Sequence, residues 1–424
     1  MMLRWRDWLG LNSSTMALLV TILLVTLSTE LWSPVVPEYL KQLQQQVMGG
    51  DLRIILLIGA YGFCRDALEA INYYVGGAVS GRFNTRRSLL LFNMLPLVGL
   101  GLLAVWASPI AVFLSIPFVF VWDSIAAPAI ITVVGDAVPA DRRTMAFSMQ
   151  AIFRRTSRIV AYGVCAIFLW LLGTMGGVRT TAVLAGILVL VATVVQYRFM
   201  GTVSRDRSVA IHRPLRLLAR FSPELKRLLA SDVCSRWAEG LAIQFIILYC
   251  VPILSNVPKD GAAAYTSILL NIQAVTNIIL YVIIGPLASR EGLAKKPYIG
   301  LTFLFFALFP VCLVLFGNLW GPVGLALAFV VGGLREIGEP ARKAMVAELV
   351  PADVKTQAIG LYWSTRSVSV MWASPVGAVL WLLGQRWRPG MGPVLTFGAA
   401  GLVGLLGAIM FFARFGRGSE KGKR

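Results

Sequence analysis

Residues 138–146 read VPADRRTMA and residues 350–358 read VPADVKTQA. The two stretches match at an offset of 212, and the match runs outward: Pro128-Ala129 aligns with Pro340-Ala341, Thr144 with Thr356, Arg154 with Arg366 and Ser157 with Ser369. A proline that stops one helix and an aspartate that caps the next explain part of the PAD motif. They do not explain an arginine recurring at the same offset. A second pair lies earlier: YYVGGAVSGRFNTRR (73–87) and YVIIGPLASREGLAKK (281–296) align at an offset of 208 through Tyr73/Tyr281 and Gly77/Gly285. The chain is therefore read as two related halves in parallel order.

What the repeats are made of follows from composition. Of the 424 residues, 57% are hydrophobic and 14% charged. Apolar stretches long enough to cross a hydrocarbon core of roughly 30 Å recur along the whole length. The spans must be helices, because lipid offers no partner to an unpaired backbone group, and the alternation of a membrane β-barrel is absent. The expected fold class is an all-α membrane protein of twelve transmembrane helices in two pseudo-symmetric six-helix bundles. The spans are placed at 15–40, 52–78, 88–106, 109–135, 144–173, 178–198, 227–256, 261–287, 297–317, 319–346, 356–383 and 392–413. The domain division is 1–198 for the N-terminal bundle, 199–226 for a basic linker, and 227–424 for the C-terminal bundle with a basic tail.

The net charge of +19 is not a nucleic-acid signal, because it is divided by topology. Of the 39 Lys and Arg residues, 26 fall in the tails and the even-to-odd loops, six in the opposite loops and seven inside spans. That asymmetry puts both termini in the cytoplasm, and a plasma membrane, the inner membrane of a bacterium, is the expected location. In the linker, HRPLRLLARFSPELKR (212–227) alternates basic residues with leucines. It suits the surface of an anionic leaflet, or a plain connection. Ser222-Pro223-Glu224 within it reads as a helix start. The five cysteines lie in or beside apolar spans with no CxxC, so neither disulfide nor metal is expected.

On these features the chain resembles the major facilitator superfamily, which has twelve spans in two six-helix halves. The family's G-x-L-A-D-R-x-G-R-K signature corresponds to Gly77, Arg82 and Arg86 after span 2, and to Gly285, Arg290 and Gly292 after span 8. Gly81 and Ser289 stand where the family has an aspartate that helps latch the gate on that side. The resemblance implies a monomeric carrier of a small solute with no cofactor, driven by an ion gradient such as that of protons. The family's antiporters carry G-x-x-x-G-P-x-x-G-G on span 5. Here that span reads RRTSRIVAYGVCAIF, and span 11 has only ASPVGA (373–378).

Interior charges show which helices face water. They fall on spans 1, 2, 4, 5, 7, 10 and 11, with amides on span 8, while spans 3, 6, 9 and 12 carry none in their cores. A charge at mid-bilayer costs roughly 2.5–3.5 kcal/mol on insertion scales, so the charged helices should enclose a shared polar chamber. Carboxylates able to couple solute movement to protons are Glu30, Glu239, Asp123 and Asp66; the first two have no basic residue within a turn on their outer side, and the alternative for each is an arginine partner on a neighbouring helix. Candidates for the chamber wall are Arg65, Glu69, Arg154, Arg158, Asn271, Gln273, Arg335, Glu336, Glu339 and Arg366. Arg65 and Glu69 have the spacing of a helical pair, with Asp66 pointing elsewhere. Arg342 and Lys343 read as headgroup-reaching residues, and Pro340 as a bend in span 10.

The leading expectation is a secondary active transporter that moves a small organic solute by alternating access, as proton-coupled export. Uptake by symport or facilitated exchange of an organic anion stays open, as does a carrier fold that has lost transport and serves as a sensor or scaffold. No phosphate-binding loop and no HExxH motif occurs, so an enzyme is not expected.

Overall fold

The computed structural model describes residues 13–47, 51–79, 85–120, 124, 125, 127, 143–199, 213–254, 259–289 and 295–415. Helices account for nearly all of these, and their breaks fall where the backbone demands. Span 1 is Ser13–Glu30, a single 3-10 turn at Ser33–Val35, and Val36–Val47. Pro34 and Pro37 remove two backbone donors at this joint, which leaves Glu30 at the end of the first segment. Spans 2 and 3 are Asp51–Val79 and Thr85–Val105, and span 4 opens at Pro109–Val119. Spans 5 and 6 lie in Arg143–Phe199 and turn at Gly173, whose φ of 67° and ψ of 177° suit only glycine.

Span 7 is Pro223–Ala242 followed by Ile246–Ile253, with a bend of 44° between them. Its start is the one read from sequence: the Ser222 side chain accepts from Leu225 N at 3.2 Å, with proline and Glu224 in the first turn. Span 8 is Lys259–Ser289. Spans 9 and 10 begin in Lys296–Leu334 and turn at Gly321, φ 55°. Span 11 is Lys355–Val370 and Ala373–Trp387, and span 12 is Met391–Phe415. Two apolar stretches, 49 residues over Ala151–Phe199 and 54 over Lys296–Leu349, are each long enough to cross a membrane twice.

Span 10 departs from expectation. It does not bend at Pro340. It unwinds over Arg335–Gly338 and restarts as Glu339–Leu349, with Pro340 in the first turn of the new helix. The turn is stitched by i→i−3 bonds (Glu336 N to Gly333 O at 3.2 Å, Ile337 N to Leu334 O at 3.1 Å) and by Gly338 N donating to Thr302 Oγ1 at 2.7 Å. Broken helix at membrane depth is tolerated where it lines a cavity, and here it does.

Within the first half, span 5 packs on span 1, and span 3 on spans 4 and 6; within the second, span 12 packs on spans 7 and 9. The halves meet where span 2 lies on span 11 and span 5 on span 8. Small residues permit the close approach. A Cβ at Gly59 would stand 2.8 Å from that of Ala378, and one at Gly240 2.8 Å from that of Ala373. The ASPVGA run is thus a seam gripped from both sides, by spans 2 and 7. The peripheral helices turn large apolar side chains outward: Leu190 and Val194 on span 6, Leu315 on span 9, Leu402 and Ile409 on span 12. Span 3 and span 6 each bury one amide, and the two are joined by one hydrogen bond, Asn93 Nδ2 donating to Gln196 Oε1 at 2.6 Å.

The repeat is visible in fine detail. Ser157 and Ser369, paired at the offset of 212, each donate to the carbonyl four residues back, at 3.1 Å and 2.9 Å.

Candidate functional site

A chamber of about 470 Å³ lies between the halves. The halves touch on both sides of it. On the far side, Phe63 lies against Trp372 with ring centroids 4.9 Å apart. On the basic side, Tyr73 meets Trp363 at 6.2 Å, and Phe147 of span 5 is wholly buried in an apolar cluster built mainly by the second half, with Leu225, Ile299 and Val346.

Among the expected wall residues, Arg65, Glu69, Arg154, Arg158, Gln273, Arg335, Glu336, Glu339 and Arg366 line the chamber, as do Glu30, Asp66 and Glu239. Asn271 does not. It sits beside Gly163 of span 5, its Nδ2 4.0 Å from where a Cβ would be, while Asn277 two turns on takes the wall position. Asp123, Arg82, Arg290 and Gly292 lie outside the described residues, as do the side chains of Gly77, Arg86 and Gly285. The first VPAD copy is outside them as well, up to Arg142.

The coupling candidates are not bare carboxylates. Glu30 forms an ion pair with Arg158, Nε to Oε1 at 2.5 Å, and accepts a hydrogen bond from Tyr162 Oη at 2.9 Å. Glu239 is held by Arg236 at 2.6 Å and Arg335 at 3.2 Å. The alternative of an arginine partner is the one the geometry takes, since a lone charge at this depth would be far more costly. Asp66 corrects a second reading: it takes both Nε and Nη2 of Arg65 at 3.0 Å, so Arg65 pairs with its chain neighbour rather than with Glu69. A helix turns its neighbours about 100° apart, but a long guanidinium spans that angle where the competing acid is drawn elsewhere.

Two residues assigned to the membrane surface are interior instead. Arg342, with a side chain 1% exposed, is bonded to Asp232 and Glu339 and lies over the Trp363 ring at 5.1 Å. Lys343 lines the chamber and approaches Glu339 at 3.5 Å. The break at Arg335–Gly338 shifts the helix phase, which directs the Glu339 helix inward. Asp232 also accepts from Tyr362 Oη at 3.2 Å. Arg236 and Arg335 are backed by span 9, with Phe306 4.9 Å and 5.3 Å from their guanidinium carbons and Phe309 5.3 Å from that of Arg335.

The residue that sequence reasoning passed over is Arg155, overshadowed by the repeat-paired Arg154 beside it. Arg155 reaches out of the first half to Glu336 of the second at 3.0 Å, and Tyr281 donates to the other Glu336 oxygen at 3.0 Å. The Asn277 amide, turned to satisfy its neighbours, offers its oxygen to Arg155 Nε at 3.3 Å. The Tyr281 position was a usable signal: it is the repeat partner of Tyr73, and both line the chamber.

This arrangement has relatives in shape. Over 94% of this chain and 99% of the other, it superposes on the human organic anion transporter MFSD10 (TETRAN) with a TM-score of 0.70 at 14% identity. The fold is that of the major facilitator superfamily. A nucleoside transporter, NupG, in a point-mutant form, matches over 95% of this chain and 99% of its own, with a TM-score of 0.68 at 14% identity. The proton:xylose symporter XylE, bound to 6-bromo-6-deoxy-D-glucose, matches over 95% of both chains, with a TM-score of 0.65 at 17% identity. No family model and no curated protein matches the sequence.

Proposed function

We propose that this chain is a secondary active transporter that carries a small organic solute through the membrane by alternating access, and that it exports that solute in exchange for protons. The observation that carries the reading is the chamber itself, enclosed between two repeat-related halves and lined by ionisable groups from both. A rigid protein would not need so many charges there, because each costs free energy to bury. A carrier that wets and seals the space in alternation does. The similar fold of solute transporters supports the reading without fixing direction or solute.

For the proton step we favour Glu30 over Glu239. Glu239 is clamped by two guanidinium groups, whereas Glu30 has one, and its Arg158 partner is the more exposed, at 29% of its side chain. A proton arriving at Glu30 has one ion pair to break. It would free Arg158 to turn toward a solute or toward the opposite half. Asp66, paired with Arg65, is the second choice by the same count.

The concentration of basic residues in one set of loops and tails supports a reading with cytoplasmic termini in a plasma membrane, and the reading takes the working unit as a monomer. Proteoliposomes loaded with a pH-sensitive dye test the mechanism. Adding a transported organic solute should move protons through the parent, and Glu30→Gln should still exchange solute while moving none. Equal proton movement in both would remove Glu30 from the coupling step. Solute exchange without proton movement in the parent would leave a uniporter. No flux of any solute through folded protein would favour a sensor.

A further inference from the structure

The described residues of the wall carry unequal charge. Each half contributes four cations and three carboxylates: Arg65, Arg154, Arg155 and Arg158 against Glu30, Asp66 and Glu69, then Arg236, Arg335, Lys343 and Arg366 against Glu239, Glu336 and Glu339. In the second half the surplus has an address. Every carboxylate there is taken by other cations, and the one acid near Arg366 is Asp232, which stands behind the wall. Asp232 already receives Arg342 and the Tyr362 hydroxyl, with Arg236 at 3.9 Å. Arg366 Nη1 is 4.0 Å from it, too far for a hydrogen bond. No protein acceptor among the described residues takes a hydrogen bond from Arg366. Its guanidinium carbon instead lies 4.1 Å from the centre of the Trp363 ring, and both side chains line the chamber. Trp363 lines the same wall, is 4% exposed, and its indole N–H finds no acceptor. A buried donor without a partner beside an under-used guanidinium is suited to receive an anionic group.

Resting on the reading of the chamber as the solute site, we propose that the solute is an organic anion, a carboxylate or sulfonate on a flat apolar body, and that Arg366 and the Trp363 indole N–H receive its acidic group. The body is accommodated by Tyr73, Phe120, Tyr162 and Tyr281, the aromatic side chains that share the wall, in a volume within the range of small-molecule pockets. A cation would meet a wall of surplus positive charge, and a neutral solute would leave the two donors unfilled.

Binding to the purified full chain in neutral detergent tests this apart from transport and apart from proton coupling. Three matched probes are titrated by calorimetry: 2-naphthoate, the neutral 2-naphthamide and the cationic 2-naphthylmethylamine. The acid should bind at least tenfold tighter than the amide, more weakly as salt rises, and the amine should not bind. Arg366→Gln should weaken 2-naphthoate at least tenfold, Arg366→Lys less, because the charge stays while the flat fork is lost. Trp363→Phe keeps an aromatic face and removes the donor, and should weaken it several-fold. Each variant is first checked for a single monodisperse peak, and the Phe variant serves if Arg366→Gln does not fold. Equal binding of acid and amide, preference for the amine, no binding of any probe at millimolar concentration, or unaltered affinity in folded variants would each overturn the proposal. Anion binding with no flux in liposomes would keep it and sink the transport reading instead.

Discussion

In the N-terminal half the chamber charges stand in separate pairs, Arg65 with Asp66 and Arg158 with Glu30. In the C-terminal half they form one web that runs from Asp232 through Arg342 to Glu339, on to Arg236 and Glu239, and ends at Arg335. The web ties span 7 to the broken span 10 and rests on the aromatic face of span 9. A carboxylate held by two or three cations cannot let one go cheaply, because the others stay fixed around it. A single pair can open by itself. The second half is therefore built to hold its shape while the chamber changes, and the first half to supply the groups that change partners. Arg155, which leaves its own half for Glu336, is the link between the two behaviours.

The sharpest way to break this comparison is to remove one arginine from each kind of arrangement. Arg342→Met strands Asp232 and Glu339 without their main partner in a fully buried position. It should lower unfolding free energy by about 3–5 kcal/mol, read as a large fall in thermal midpoint in detergent. Adding Asp232→Asn should recover part of the loss. Arg158→Met leaves one carboxylate, Glu30, which faces the chamber and can take up a proton, so it should lower the thermal midpoint less than Arg342→Met does. Similar midpoints for the two variants would mean that the web is no stiffer than the pairs.

A smaller effect is expected at the link. A double-mutant cycle over Arg155→Gln and Glu336→Gln should return a coupling of about 1–2 kcal/mol in stability. Spin labels on the two halves should show a changed distribution of separations in either single variant, while the secondary structure stays intact. A cycle with no coupling would reduce the contact between halves to packing.

The sequence carried the spans, the repeat and the identity of the wet helices, because each rests on a cost that composition cannot hide: charge in lipid, and basic residues concentrated in one set of loops. Glu30, Glu239, Arg335 and Glu336 were legible as interior for that reason. What was not legible was who pairs with whom. Arg65 and Glu69 have ideal helical spacing, yet Asp66 takes the guanidinium. Arg342 looked like a surface residue because it follows a long apolar run. The unwound turn before it re-aims the helix, and no local signal other than Gly338 and Pro340 announces that turn. Asn271 and Asn277 are equivalent in composition, and only the neighbour at Gly163 separates the one in the helix seam from the one in the wall. Pairing is decided across helices, by geometry that periodicity does not encode.

The smallest effect concerns the linker, whose charge pair stands outside both arrangements. Arg220 meets Asp353 of the second VPAD copy at 2.8 Å, with side chains 43% and 58% exposed. A pair so open to water is worth less than about 1 kcal/mol and is screened by salt. The short helix Pro214–Ala219 is instead held by Leu217 and Phe221, both buried in the same apolar cluster as Phe147. Arg220→Ala should therefore shift the thermal midpoint barely at all, and the shift should vanish in high salt. A loss that persists in high salt would show that the charge, and not the two apolar side chains, straps the linker to the second half, and would extend the web of paired charges beyond the chamber.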